Sequence, residues 1–445
     1  MEYIHRNIER ELINWRDDEN RKPLLLRGAR QVGKSSLARY FGSAFEHFLE
    51  INFDDEKPAH QVFERYATPI EICKELEILY KTPIIAGKTL LFLDEIQSCQ
   101  AALSKLRYFY EKYPQLHLIA AGSLLEFAFE QVPSFAVGRL RSMFLYPFNF
   151  EEFLIAQNEK KLVQIFREAS PAKPLSEPIH NLLLKHLKKF LLIGGMPEAV
   201  SEYVKTDDIS RSQQVLDDII ISLKSDFAKY KKRVPAIRIN EVFESAANQA
   251  DGKFVYEKAA INANNMQVKE ALELLIMSGI VYPVTHSAAN GIPLGAEANY
   301  KFRRVIFNDT GIFQRVLGLD TAQLYCADDF KIINRGALAE IFAGVELIKG
   351  ASCYNPIQLY YWQREKKQSN AQIDYLIQRG ETIIPIEVKS GTRGSMQSLH
   401  LFMKEKNIKR GARTSLENFA QYENIDVYPL YAVSNLMQSN LKTKD

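Results

Sequence analysis

Leu24-Leu25-Leu26-Arg27-Gly28-Ala29-Arg30-Gln31-Val32-Gly33-Lys34-Ser35-Ser36 is the stretch on which the fold of this chain turns. Three consecutive leucines predict a strand buried on both faces, because a parallel strand covered by helices shows no polar alternation. The eight residues that follow, Gly28 to Ser35, satisfy G-x4-G-K-S/T. Glycines at both ends let the backbone curl until its N–H groups face an anion, and a helix opening at Lys34 adds the positive end of its dipole. In such a loop the lysine reaches terminal phosphate oxygens and the serine hydroxyl ligates magnesium. The expectation is ATP with Mg2+, held by Gly28, Ala29, Arg30, Gln31, Val32, Gly33, Lys34, Ser35 and Ser36.

Outward from this loop, further aliphatic runs stand at Phe48 to Phe53, Leu90 to Leu93 and Leu116 to Ala121, with helical spacing between them. Strand and helix in alternation predict a doubly wound α/β domain. The run Leu90-Leu91-Phe92-Leu93 delivers Asp94 and Glu95 at its C-terminal end. Beside a phosphate loop, Asp94 is expected to hold the magnesium and Glu95 to orient or deprotonate the attacking water. Without the phosphate loop, the pair would read first as caps of the next helix. Leu118 to Gly122 ends in Ser123, a candidate sensor of the water or γ-phosphate or else a plain strand-ending serine. There is no N-K-x-D for guanine, which favours ATP over GTP.

The 445 residues allow roughly three domains at the usual 100–200 residues each. Hydrophobic residues at 46% and charged ones at 25% are ordinary for a folded globular chain. With 57 basic residues against 54 acidic, the net charge of +3 supplies no global field toward nucleic acid or anionic lipid, so any such contact must be local. Cys73, Cys99, Cys326 and Cys353 form no C-x-x-C pair and are expected as reduced small hydrophobes. The start, Met1-Glu2-Tyr3-Ile4-His5-Arg6, lacks a signal-peptide core, and no apolar run reaches the roughly 18 residues of a membrane span. A cytoplasmic location and no membrane partner are expected.

Beyond Glu151 helical spacing takes over, as in Leu183, Leu184, Leu187, Phe190 and Leu191, predicting a helical subdomain. From Ala236 to Thr310 the pattern is three short helices and two strands around a Gly-rich turn, the outline of a winged helix. Its third helix, from Asn265, is mixed in charge, which counts against base readout. Lys229, Lys231, Lys232 and Arg233 before it, and Lys301, Arg303 and Arg304 after it, are candidate phosphate contacts for DNA or else solvated faces. In the last segment Glu340 lies on a helix, Asp374 on a strand, and Glu387 and Lys389 on the next strand, two residues apart and so on one face. Such a set can hold a second divalent metal and activate water, with Lys389 stabilising developing charge. It reads equally as cross-strand ion pairs on a sheet.

The set GARQVGKSS, LLFLDEIQ, IAAGSLLEF, GRL with YPFNFEEF, and GGMPEAV resembles a prokaryotic AAA-type ATPase family, a likeness running to within about fifty residues of the C-terminus. The resemblance implies ATP binding by Gly28 to Ser35, Walker B acids at Asp94 and Glu95, a sensor at Ser123, and Arg139 or Arg141 as an arginine finger. A finger acting in trans requires a homo-oligomer. The C-terminal order, with Pro385-Ile386-Glu387-Val388-Lys389-Ser390-Gly391, resembles the PD-(D/E)xK nuclease superfamily and the C-terminal region of that ATPase family. The expected architecture is thus α/β: a P-loop ATPase core (1–155), a helical lid (156–233), a winged helix (234–315) and a restriction-endonuclease-like domain (316–445). The expected activity is Mg-dependent ATP hydrolysis coupled to a DNA-associated nuclease-like module. The alternative is a nucleotide-gated switch acting on protein partners.

Overall fold

The computed structural model describes residues 3–123, 125, 126, 129, 138–230, 234–250, 252–260, 264–319, 336–364, 371–392 and 394–438. The fold divides into two compact units: Met1–Tyr146 with Met277–Gly279 and Cys353–Asn355, and the remainder of the chain.

In the first unit the predicted runs are strands: β1 (Leu24–Arg27), β2 (His47–Asn52), β3 (Thr89–Asp94) and β4 (His117–Gly122). A fifth, β5 (Arg141–Phe144), was not visible in the sequence, since a four-residue edge strand reading Arg-Ser-Met-Phe carries no aliphatic run. All neighbours pair in parallel, in the order β2-β3-β4-β1-β5. Alternate residues serve two separate cores. Leu25, Leu91, Leu93, Leu118 and Ala120 meet the helices Lys57–Arg65, Pro69–Tyr80 and Gln100–Lys112. Leu24, Leu26, Leu90, Phe92, Ile119 and Ala121 meet the helices Glu9–Asp17 and Lys34–Gly42. Each buried leucine or phenylalanine contributes about 1.5–3 kcal/mol, so this two-sided burial holds the strand ends, and what they carry, rigid.

The second unit begins with the helices Phe150–Ala156, Lys160–Glu168, Glu177–Ile193, Pro197–Thr206 and Ile209–Asp226, as the helical spacing predicts. Its sheet comprises β6 (Val281–Ser287), β7 (Ala298–Phe307), β8 (Leu359–Gln363), β9 (Gln372–Arg379), β10 (Thr382–Val388), β11 (Gly411–Ser415), β12 (Ala420–Tyr422) and β13 (Ile425–Pro429). The order is β12-β13-β11-β10-β9-β8-β6-β7. Here the architecture departs from expectation. The β6–β7 hairpin, read as the wing of a winged helix, is continuous with the C-terminal strands, because β6 offers its outer edge to β8 in parallel pairing, Val284 opposite Leu359. An open strand edge is completed by whichever strand the tertiary fold brings alongside. The second of the three expected helices is only a short 3₁₀ turn, Tyr256–Lys258, among the described residues. The β9–β10 hairpin turns at Gly380, with φ of +55°, as read from Arg379-Gly380.

Two of the quoted motifs meet in this unit. Phe148 N–H donates to Gly195 O at 2.7 Å, joining YPFNFEEF to GGMPEAV. Gly194 N–Cα lies against Asp309, where an added Cβ would stand 2.2 Å from a carboxylate oxygen. Asp309 in turn accepts from Gly195 N at 2.5 Å and caps the helix Thr310–Val316 through Ile312 N. Among the described residues no helix is long and apolar enough to cross a membrane. Cys73 and Cys99 are buried free thiols and Cys353 is half-buried; Cys326 lies outside the described residues.

Candidate functional site

Ligands of parallel sheets bind beyond the carboxyl ends of the strands, and the carboxyl ends of β1, β3 and β4 all deliver predicted residues. β1 runs straight into Gly28, whose φ of +150° and close approach to β5 exclude a side chain: a Cβ there would lie 2.1 Å from Leu145 O. Gln31 (φ +60°) and Gly33 (φ +93°) complete the curl before the helix starts at Lys34. Ala29 and Val32 are buried anchors, Gln31 and Ser36 are exposed and Arg30 is half-buried.

Lys34 is buried, and its ammonium donates back to Gly28 O (3.0 Å) and Ala29 O (2.7 Å). Burial pulls its pKa down to about 8, against the attraction of Glu95 and Asp94. A phosphate oxygen is the partner that both relieves this desolvation and replaces the two carbonyls. Ser35 Oγ donates to Asp94 Oδ2 at 2.5 Å, so the hydroxyl of the loop and the carboxylate of β3 already share the position that a hydrated magnesium would occupy between them. Burial pushes the Asp94 carboxyl up, with the Ser35 hydroxyl and the Glu95 N–H drawing it back. Donor chemistry, cradle and charge therefore fit Mg-ATP.

Glu95 sits in the left-handed region at φ +47°, ψ +45°, a conformation costing about 1–3 kcal/mol for a side-chain-bearing residue. Its carboxylate is held from two sides. Gln97 Nε2 donates to Glu95 Oε2, and Ser123 Oγ donates to the same oxygen at 3.5 Å. Gly122 makes room for Gln97, since a Cβ at that position would stand 2.2 Å from Gln97 Oε1. Asp94, Glu95, Ser123, Lys34 and Ser35 are thus brought together.

Arg139 and Arg141 are not. The register pairs Leu24, the first residue of β1, with Arg141, so Arg141 lies at the sheet edge opposite the phosphate loop, over the Tyr354 ring. Arg139 is paired with Glu111 in the last turn of the helix Gln100–Lys112. Those contacts, with Glu111 and Tyr354, are away from Lys34, Ser35 and Asp94.

Two contributors escaped the sequence reading. Buried Arg6 donates to Val32 O at 3.0 Å and Tyr146 O at 2.6 Å, tying the phosphate loop to the chain leaving β5; a lone arginine in a polar N-terminal segment gives no pattern to find. Gln97 gave one signal, its place two residues after Glu95.

In the second unit the predicted cluster assembles differently. Glu387 and Lys389 share a face as expected, 2.7 Å apart, and Asp374 stands beside them, accepting from Val388 N at 2.8 Å. Glu340, however, forms an ion pair with Arg304, which also lies 3.8 Å from Asp374. Burial pushes the Asp374 and Glu387 carboxyls up, opposed chiefly by Arg304 and Lys389 respectively. No group of three or more His, Cys, Asp or Glu able to hold a metal occurs among the described residues, so the expected second divalent metal at Glu340, Asp374 and Glu387 is without support. Arg304, read as a DNA phosphate contact, is 3% exposed and cannot be one. Arg303 is half-buried and paired with Glu273, and Lys301 is exposed. Lys231, Lys232 and Arg233 lie outside the described residues, as does the side chain of Lys229.

Residues 20–154 match the family described as an AAA domain. Residues 184–323 and 335–433 match two families described as domains of unknown function, DUF8612 and DUF4143. No curated protein matches this chain. Among solved structures, the Walker-type ATPase PABY2304 of Pyrococcus abyssi is similar at 16% identity over 71% of this chain and 96% of that one, with a TM-score of 0.45. AMPPCP-bound DnaA from Aquifex aeolicus is similar at 16% identity over 60% of this chain and 77% of that one, with a TM-score of 0.25. The RuvB Holliday junction branch migration motor of Thermotoga maritima is similar at 12% identity over 62% and 88%, with a TM-score of 0.27. All three likenesses are distant. The segment 20–154, with its parallel sheet and phosphate loop, is an AAA-type P-loop domain.

Proposed function

We propose that this chain hydrolyses ATP with magnesium and couples hydrolysis to its second unit, a nuclease-like module associated with DNA. The observation that carries the ATPase reading is the 2.5 Å contact of Ser35 with Asp94, beside a buried lysine and a glutamate held in the left-handed region. Loop N–H groups and Lys34 bind the phosphates, and Ser35 and Asp94 hold the magnesium, which supplies charge neutralisation at the phosphoryl oxygens. Glu95 accepts the proton of the attacking water, while Gln97 and Ser123 aim its carboxylate.

Magnesium-dependent phosphate release by wild type and Lys34→Ala tests this: hydrolysis in wild type and loss in the variant is expected, and equal, negligible rates in both refute it. Contact with DNA is supported by exposed Lys301 and the arrangement of helices before β6 and β7. Its test is affinity for duplex DNA across ionic strength, which falls steeply with salt when phosphates are bound. Weak, salt-independent binding removes the DNA part and leaves the ATPase standing.

A further inference from the structure

A PD-(D/E)xK cluster is expected to hold a divalent cation, and in this chain the place of that cation is taken by a side chain. We infer that the Arg304 guanidinium is the resident cation of the Glu340, Asp374, Glu387 cluster and that the wild-type chain takes no divalent metal there. This deepens the reading of the second unit as nuclease-like and is independent of ATP hydrolysis by the first.

Arg304 is fixed in place from the backbone upward. It lies on β7 opposite Val284 of β6, and on its other side forms an isolated bridge with Lys253, so its backbone is held on both sides. Its guanidinium contacts Glu340 from the helix Gly336–Lys349 and approaches Asp374 of β9 to 3.8 Å, with the Tyr361 ring of β8 at 5.8 Å from its centre. Three separate elements thus converge on one buried cation.

The electrostatics favour arginine over metal. Three carboxylates with Lys389 carry a net charge of −2, which attracts a divalent ion; adding Arg304 brings it to −1. The carboxylates are also spent: Glu340 faces Arg304, Asp374 accepts from the Val388 N–H, and Glu387 holds Lys389. Two buried carboxylate oxygens of the cluster, Glu340 Oε2 and Glu387 Oε2, lack a hydrogen-bond partner; the first lies in the ion pair with Arg304, and the second alone does not make a divalent site. The second divalent metal at this end of the chain therefore does not fit, and the cluster is held together by an internal guanidinium.

The test uses Mn2+ alone, followed by electron paramagnetic resonance of the free ion, on the full chain carrying Ser35→Ala so that the phosphate loop contributes nothing. Expected is identical Mn2+ uptake with and without Asp374→Asn, into the millimolar range. Uptake of one Mn2+ per chain that Asp374→Asn abolishes overturns the inference, and this arm requires no change at Arg304. Arg304→Met is expected to gain one Mn2+ per chain, seen also as a Mn2+-dependent rise in melting temperature, and to lose it again with Asp374→Asn. An Arg304→Met chain that unfolds cooperatively and gains no Mn2+ likewise overturns it. ATP hydrolysis by the chain with Ser35 intact reports on the first unit separately.

Discussion

ATP binding by the phosphate loop should take up a proton, to an extent set by the burial of Lys34. Among the described residues the Lys34 ammonium donates to the carbonyls of Gly28 and Ala29, and burial draws its pKa from 10.5 to about 8. That shift is roughly 3 kcal/mol of differential stabilisation of the neutral amine, at about 1.4 kcal/mol per unit. A bound triphosphate places negative oxygens against the ammonium and returns the pKa toward its ordinary range. The uptake per ATP then equals the fraction of loops holding a neutral lysine, about 0.1 at pH 7, about 0.5 at pH 8 and about 0.9 at pH 9. The intrinsic affinity falls about tenfold from pH 7 to pH 9, because binding must first protonate the lysine. Isothermal titration of Mg-ATP, in buffers of differing ionisation enthalpy at the three pH values, measures both quantities. Zero uptake at pH 8 and 9, or uptake that survives Lys34→Met, refutes the assignment of the shift to Lys34.

Glu95→Gln keeps the hydrogen-bonding shape but cannot accept a proton; kcat should fall about 10²–10⁴-fold with ATP affinity retained, and a rate within threefold of wild type contradicts the water-activating role. Gly195→Ala places a methyl 2.1 Å from Phe148 O, in a backbone pair fixed by the Phe148 N–H, and should lower stability by about 2–4 kcal/mol in urea unfolding. Gly252→Ala, where a methyl meets nothing within 4 Å and the backbone is outside the left-handed region, should cost much less, and similar losses for both would refute the steric argument. Glu346 is buried, and its carboxyl is pushed up to about 7 from 4.5 by desolvation, so the native chain holds this proton more tightly than the unfolded one. Its contribution to stability is therefore intact below about pH 4.5 and is lost as pH rises to 7. Glu346→Gln should gain about 3 kcal/mol over wild type at pH 8 and nothing at pH 4, read from denaturant midpoints.

How much was legible can be followed residue by residue. The runs at Leu24, Leu90 and Leu116 announced their strands because each is buried on both faces, which writes itself locally as uninterrupted aliphatics, whereas β2 lies at the sheet edge and fully buries only Leu49 and Ile51. β5 stayed hidden because it is a short edge strand, and an edge makes fewer demands on composition. The acids after β3 and the serine after β4 were legible because a parallel sheet presents its carboxyl ends together, so position along each strand predicts proximity in space. The left-handed backbone of Glu95 was not, since nothing at the residue itself codes for it, nor was the placing of its carboxylate against Gln97 and Ser123.

By itself the sequence determined a phosphate loop, the carboxylates that face it, and the E-x-K pair on β10, because each depends on residues adjacent in the chain or on one strand's alternation. The tertiary structure decided what those groups became. Arg304 was read from its neighbours Lys301 and Arg303 as an exposed basic run, yet the strand turns it inward against Glu340 and Asp374, which lie 36 and 70 residues further along the chain. Arg139 and Arg141 were carried to the far edge of the sheet by a register no local pattern specifies. Charge in a folded protein takes its meaning from what desolvates it and what faces it, and both are properties of long-range packing.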